Sequence, residues 1–160
     1  MSTTRGVPWL DDIEMHAWRS LLRAHARLLA RLDADLQASQ GISVTDYEVL
    51  VQLSEEEGGS MRMSELADRL LLSPSGLTRR LDGLVASGMV ERHRCPTDRR
   101  GAFAVLTPAG HARLRAAAPD HVDHVRRHFV DRLSRKQLEA LADALDRVAF
   151  DNVTTESSCP

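Results

Sequence analysis

Residues 73–110 read SPSGLTRRLDGLVASGMVERHRCPTDRRGAFAVLTPAG, and the order of signals in this stretch decides the fold. Ser73 is a good helix N-cap, and Pro74 suits the first helical position, where its missing N–H is not needed. Leu77, Leu81, Leu84 and Val85 recur at helical spacing as an inward face, and Gly88 stops the helix. Two strand-like runs follow, MVERHRC at 89–95 and AFAVLT at 102–107, on either side of PTDRRG. They predict a hairpin with Pro96 and Gly101 in its turn. Thr107 and Pro108 then cap the next helix.

Working outward, a short third helix is expected from near Ser64, with Leu66, Ala67, Leu70 and Leu71 inward. Before it, Thr45 and Glu48 have the spacing of a capping box for a second helix, which Gly58 and Gly59 end. From Leu10 to about Gln40, apolar residues such as Ile13, Leu21, Leu28, Leu32 and Leu36 recur every three or four positions, so one long amphipathic helix is predicted, stopped by Gly41. Downstream, Leu114, Val122, Val125, Phe129 and Leu133 mark a fifth helix. Ser134 and Gln137 box the start of a sixth, which carries Leu138, Leu141, Leu145 and Val148. The fold class is therefore mainly α, with six helices and one β-hairpin wing. Residues 1–8 and 151–160 are expected to be flexible tails.

The chain has 160 residues, enough for one domain with a real core, and its 42% hydrophobic and 28% charged content suits a soluble globular protein. No apolar run is long enough for a membrane span, and the N-terminus shows no apolar secretory region. The only cysteines are Cys95 and Cys159, which is no disulfide framework and fits a reducing cytoplasm. The net charge of -2 conceals a division. Residues 61–101 hold eight arginines against five acids, a net of +3, and the remainder balances at -5. A basic middle between acidic flanks points to a local anion-binding face.

A short helix, a tight link and a second helix make a helix-turn-helix, and the hairpin makes it a winged one. The DNA major groove admits one α-helix, whose N-terminal residues reach the base edges. Off the apolar stripe of the fourth helix lie Ser75, Gly76, Thr78, Arg79, Arg80 and Asp82. The small residues allow close approach, Ser73 and the helix N-terminus suit a phosphate, and Arg79 or Arg80 suits guanine. Arg99 and Arg100 sit where a hairpin tip meets the minor groove.

The stretch from Met61 to Gly110 resembles the MarR (multiple antibiotic resistance) family of transcription regulators. ELADRL before the turn, SPSGLTRRLDGL as recognition helix, SGMVER into the wing, DRRG at its tip and LTPAGH leading out carry the likeness. It extends over about Trp9 to Phe150. The resemblance implies a winged-helix homodimer on pseudo-palindromic, inverted-repeat DNA, usually a repressor released by a small ligand. It further implies that Asp98 anchors the wing and that Arg100 enters the minor groove. Residues 9–40 and 108–150 become dimerisation helices and 43–107 the DNA-binding part. The wide apolar stripes of the terminal helices support that division, because a two-fold mate would bury them and set two recognition helices about 34 Å apart.

The family's effector pocket lies between these parts, which implicates His16, Trp18 and Arg19 on the first helix and Tyr47 and Glu48 on the second. Such a set suits a small aromatic or anionic effector. Trp18, Glu48, Arg80 and Arg99 loosely match a urate-responsive branch, from which this chain departs by carrying Glu48 in place of an aspartate. His121, His124 and His128 have ligand-like spacing, but no further donors complete a metal site, and solvent-facing histidines are the simpler reading. Cys95 at the wing base is read as an ordinary thiol, since thiol-sensing relatives carry theirs in the first helix. No nucleophile elbow, P-loop or zincin motif occurs, so neither an enzyme nor a cofactor is expected. The other classes left open are a winged-helix assembly module without DNA activity and a metal-dependent regulator.

Overall fold

The computed structural model describes residues 8–94 and 101–149. The expected tails, apart from Pro8, and the wing residues Cys95, Asp98, Arg99 and Arg100 lie outside them. Six helices occur in the described residues: α1 (Asp12–Gln40), α2 (Val44–Glu55), α3 (Met63–Arg69), α4 (Pro74–Ala86), α5 (Pro108–His128) and α6 (Arg135–Ala149). Three strands, β1 (Ser60–Arg62), β2 (Val90–Arg94) and β3 (Ala102–Leu106), form an antiparallel sheet in the order β1-β3-β2. The expected hairpin is thus β2 and β3, with Val90 opposite Leu106 and Arg94 opposite Ala102. β1 is an addition, pairing Met61 with Ala104 on the other edge of β3. Its length of three residues is too short to leave a period in the sequence.

Apart from α3, whose N-cap Arg62 makes no side-chain cap bond, the helix starts are set by side-chain oxygens. Asp11 Oδ1 accepts from the N–H groups of Ile13 and Glu14, while the Glu14 carboxylate accepts from Asp11 N–H, so α1 opens with a full capping box. Ser134 and Gln137 form the expected reciprocal pair before α6. The box expected at Thr45 and Glu48 does not form. Ser43 caps α2 instead, its Oγ accepting from Asp46 N–H at 3.0 Å, and Asp33 of α1 accepts the Val44 N–H at 2.9 Å. A carboxylate from another helix has moved the start upstream. α2 also ends earlier than expected, at Glu55, and Glu57–Gly59 form a 3₁₀ turn. α5 stops at His128, so Phe129 and Leu133 flank a second 3₁₀ turn, Val130–Arg132.

The core sits in the central part. Leu36 from α1 and Leu50 and Leu53 from α2 meet Leu66, Leu77 and Leu81 of the helix-turn-helix and Val90 and Ala104 of the sheet, all essentially inaccessible. Beyond this cluster α1 and α6 are left uncovered: α1 buries only Leu32 besides Leu36, and α6 buries nothing. Ile13 is 81% exposed and Val148 70%, on helices whose stripes need a cover.

Two inward assignments were wrong. Val85 is exposed, and Leu71 is 93% exposed with φ at 52°. The cause lies in the turn. Leu72 N–H donates to Ala67 C=O and Leu71 N–H to Asp68 C=O, the paired bonds of a Schellman ending whose left-handed position glycine usually fills. Here a leucine fills it, and its side chain is turned out of the core. Leu71→Gly is expected to stabilise the fold by about 1 kcal/mol, since the left-handed strain is relieved and no packing is lost. A rise in thermal midpoint of a few degrees checks this.

Candidate nucleic-acid interface

α4 is presented by its buried face. Leu77, Leu81 and Leu84 anchor it, and the opposite side exposes Ser73, Ser75, Thr78, Arg79 and Arg80, with Gly76 half-buried. Ser73 Oγ accepts from Gly76 N–H at 3.1 Å and lies 3.2 Å from Ser75 Oγ. A Cβ at position 76 would stand 3.0 Å from that Ser73 Oγ, so glycine gives the cap its room. Thr78 Oγ1 donates back to Pro74 C=O at 2.9 Å, which fixes its hydroxyl.

The arginines differ in what holds them. Arg79 is exposed and makes no hydrogen bond or ion pair among the described residues, so its guanidinium is available to a ligand. Arg80 leans toward the start of α2, 3.8 Å from Asp46 and 3.5 Å from Ser43 Oγ. Its described acidic neighbour is therefore Asp46. An open groove of about 450 Å³ runs between these elements, lined by Asp46, Leu72, Gly76, Arg79, Arg80 and Gly83. Elsewhere in the basic stretch, Arg69 is taken by Glu56 and Glu65, and Arg92 by Asp82. Arg62 lies over the Phe103 ring at 5.2 Å. Among the described arginines of this stretch, Arg79 on α4 and Arg94 at the end of β2 are the exposed ones whose side chains make no hydrogen bond or ion pair.

The residues implicated in effector binding do not come together within one chain. Asp33 touches the first residue of α2, and Trp18 lies about 22 Å further up α1 at the helical rise of 1.5 Å per residue. His16, Trp18 and Arg19 are exposed there. Tyr47 is buried instead against His121 of α5, with ring centroids 4.4 Å apart. Burial, and next the charge of Glu55, raises the carboxyl of Glu48 above its usual range.

The three histidines are not solvent-facing, which corrects the simpler reading of their spacing. His124 is buried, and His128 Nε2 lies 2.6 Å from the carboxylate of Asp35 on α1. The spacing identified a face, and that face packs on α1 and α2. No group of three or more His, Cys, Asp or Glu is arranged to hold a metal ion among the described residues. Burial, and next the charge of His124, lowers the pKa of His121 below its usual 6.5. A histidine held neutral contributes stability that is full above its unfolded value and is lost as pH falls through its lowered folded value. Acidification from about pH 7.5 to about pH 5.5 is expected to lower the thermal midpoint, and His121→Gln to lessen that loss.

A helix anchored by an apolar stripe, exposing a small, polar and arginine-bearing N-terminal face beside a β-hairpin, defines a winged helix-turn-helix protein. Comparison with known proteins narrows the class. Residues 40–101 match the sequence profile described as MarR family. AbsC, a MarR family transcriptional regulator from Streptomyces coelicolor, is 44% identical with a TM-score of 0.82, over 89% of this chain and 96% of its own. Sco3205, a MarR family regulator of the same organism solved in complex with DNA, is 38% identical with a TM-score of 0.85 over 91% of each chain. The transcriptional repressor MprA of Escherichia coli (strain K12) is 31% identical over 87% of this chain and 82% of its own. The chain belongs to the MarR family of transcription regulators, and these relatives are regulators rather than enzymes. No described helix is long and apolar enough to cross a membrane.

Proposed function

We propose that this chain is a cytoplasmic, homodimeric repressor whose two α4 helices enter successive major grooves of an inverted-repeat operator. The observation that carries the reading is the exposed N-terminal face of α4, with Arg79 uncommitted on a helix fixed from behind by Leu77, Leu81 and Leu84. Ser73, Ser75 and Gly76 bring the helix end close to the duplex, and Arg80 adds charge beside the groove. Asp98, Arg99 and Arg100 are assigned to the wing, with Arg100 in the minor groove. The bare stripes of α1 and α6 support a two-fold partner, with residues 9–40 and 108–150 as the dimerisation part and 43–107 as the DNA-binding part.

Release is assigned to a small aromatic or anionic effector. Tyr47, which packs on His121 of α5, and the half-buried Glu48 contribute from α2. His16, Trp18 and Arg19 stand too far along α1 to join them from the same chain, so in this reading they act from the partner.

Arg79→Ala tests the reading. It is expected to cost about 1–3 kcal/mol on the operator and to relax discrimination at one base pair per half-site, with the thermal midpoint unchanged. Binding curves across a salt series separate DNA recognition, which weakens steeply with salt, from apolar assembly, which hardly responds. Wild-type affinity and selectivity in the variant would show that α4 docks differently.

A further inference from the structure

We propose that Arg92 is a positioning residue for DNA recognition, a guanidinium brace that fixes the recognition helix to the wing. Arg92 lies in the middle of β2, opposite Ala104 of β3. Its Nη1 donates to Asp82 Oδ1 at 2.7 Å and its Nη2 to the backbone C=O of Thr78 at 2.8 Å. Both acceptors are on α4, one turn apart, so two bonds from one planar group hold the helix against rotation as well as translation. Thr78 immediately precedes Arg79, and the direction of Arg79 is therefore set partly from the wing strand.

The geometry separates this role from the one that an arginine on a DNA-binding face would ordinarily have. A phosphate clamp keeps its donors turned to solvent, whereas Arg92, although 32% of its side chain is accessible, has two of its donors engaged on the protein. Asp82 is 63% exposed at its side chain, and Arg92 neutralises a carboxylate that would otherwise face phosphates unpaired. A helix and a wing tied in this way move as one unit, which keeps major-groove and minor-groove contacts in register.

The inference rests on the proposed reading of DNA by α4, and the test keeps the two apart. Arg92→Ala, Arg92→Lys, Asp82→Ala and the double Ala variant are titrated against an operator duplex across a salt series, with thermal unfolding alongside. Arg92→Ala is expected to weaken operator binding about tenfold or more with the salt slope unchanged, because no phosphate contact is removed. Asp82→Ala is expected to weaken it too, although it removes a negative charge, and the double variant should lose no more than Arg92→Ala alone. Arg92→Lys, which cannot span both acceptors, should recover only part of the loss. A salt slope reduced by about one per half-site in Arg92→Ala, or tighter binding by Asp82→Ala, would assign Arg92 to the DNA and overturn the brace. A wild-type protein that binds no duplex would remove the DNA reading and this inference with it.

Discussion

Leu145→Asp is expected to break the dimer and, through it, operator binding. α6 buries none of its residues within the chain, although Leu138, Leu141, Leu145 and Val148 recur along one face. The N-terminal half of α1 is equally bare, with Trp18 and Leu22 about half exposed. Apolar area of this extent is removed from water by a second copy in the proposed assembly, at about 25 cal/mol per Å² buried. A carboxylate at position 145 enters that seam twice, because the two-fold axis repeats it. Desolvating each unpaired charge costs several kcal/mol, so the dimer should weaken by roughly a thousandfold or more. Operator affinity should then fall by about a hundredfold or more, since the half-sites are no longer held by one linked particle. Sedimentation at low micromolar concentration checks the first loss and duplex titration the second. A variant that remains a dimer would move the interface away from α6.

Gly110→Ala is expected to damage the fold more than any other single methyl group added to a described glycine. A Cβ at that position would stand 2.2 Å from the backbone oxygen of Met89 and 2.5 Å from Leu106 Cδ1. The first contact is with backbone and cannot be relieved by a rotamer. Met89 C=O also accepts from Thr107 N–H at 3.1 Å and from Thr107 Oγ1 at 3.0 Å, and Gly110 N–H donates to Thr107 Oγ1. This corner joins the exit of β3 and the start of α5 to the turn between α4 and β2, closing the base of the wing. It explains the LTPAG sequence at 106–110 physically: Leu106 enters the core, the Thr107 hydroxyl ties the C=O groups of Gly88 and Met89 and the N–H of Gly110, and residue 110 must carry no side chain. Overpacking together with the strained bonds should cost about 3 kcal/mol, or roughly 6–12 °C in thermal midpoint. A melting curve like that of the wild type would contradict the account of the corner.

The parts of the fold that were legible in the sequence are those set by local chemistry. Ser73 with Pro74, Thr107 with Pro108, and the Leu77–Leu81–Leu84 stripe act within a turn or two of themselves, and the helices stand where these signals put them. What was missed depends on residues far apart in the chain. The Asp33 carboxylate from α1 shifted the start of α2, and β1 exists only because β3 pairs with it. Leu71 satisfied helical spacing, yet the left-handed turn carried it outward. The site followed the same rule. The outward face of α4 was readable from spacing alone, but the neighbour of Arg80 and the two hydrogen bonds of Arg92 to α4 were not, because Asp46 and Arg92 come from other elements. The effector set failed to assemble in one chain for a related reason: a long helix keeps Trp18 far from the end that meets α2.

Selection of bound duplexes from a randomised library tests the central claim most directly, because one experiment reads both the DNA-facing helix and the two-fold assembly. The expected product is an inverted repeat whose half-site centres lie about one helical turn apart, roughly 10–11 base pairs, bound by two chains per duplex. The same selection with Arg79→Ala should lose preference at one base pair in each half. No enrichment, or enrichment of a single unrepeated half-site bound by one chain, would contradict the account.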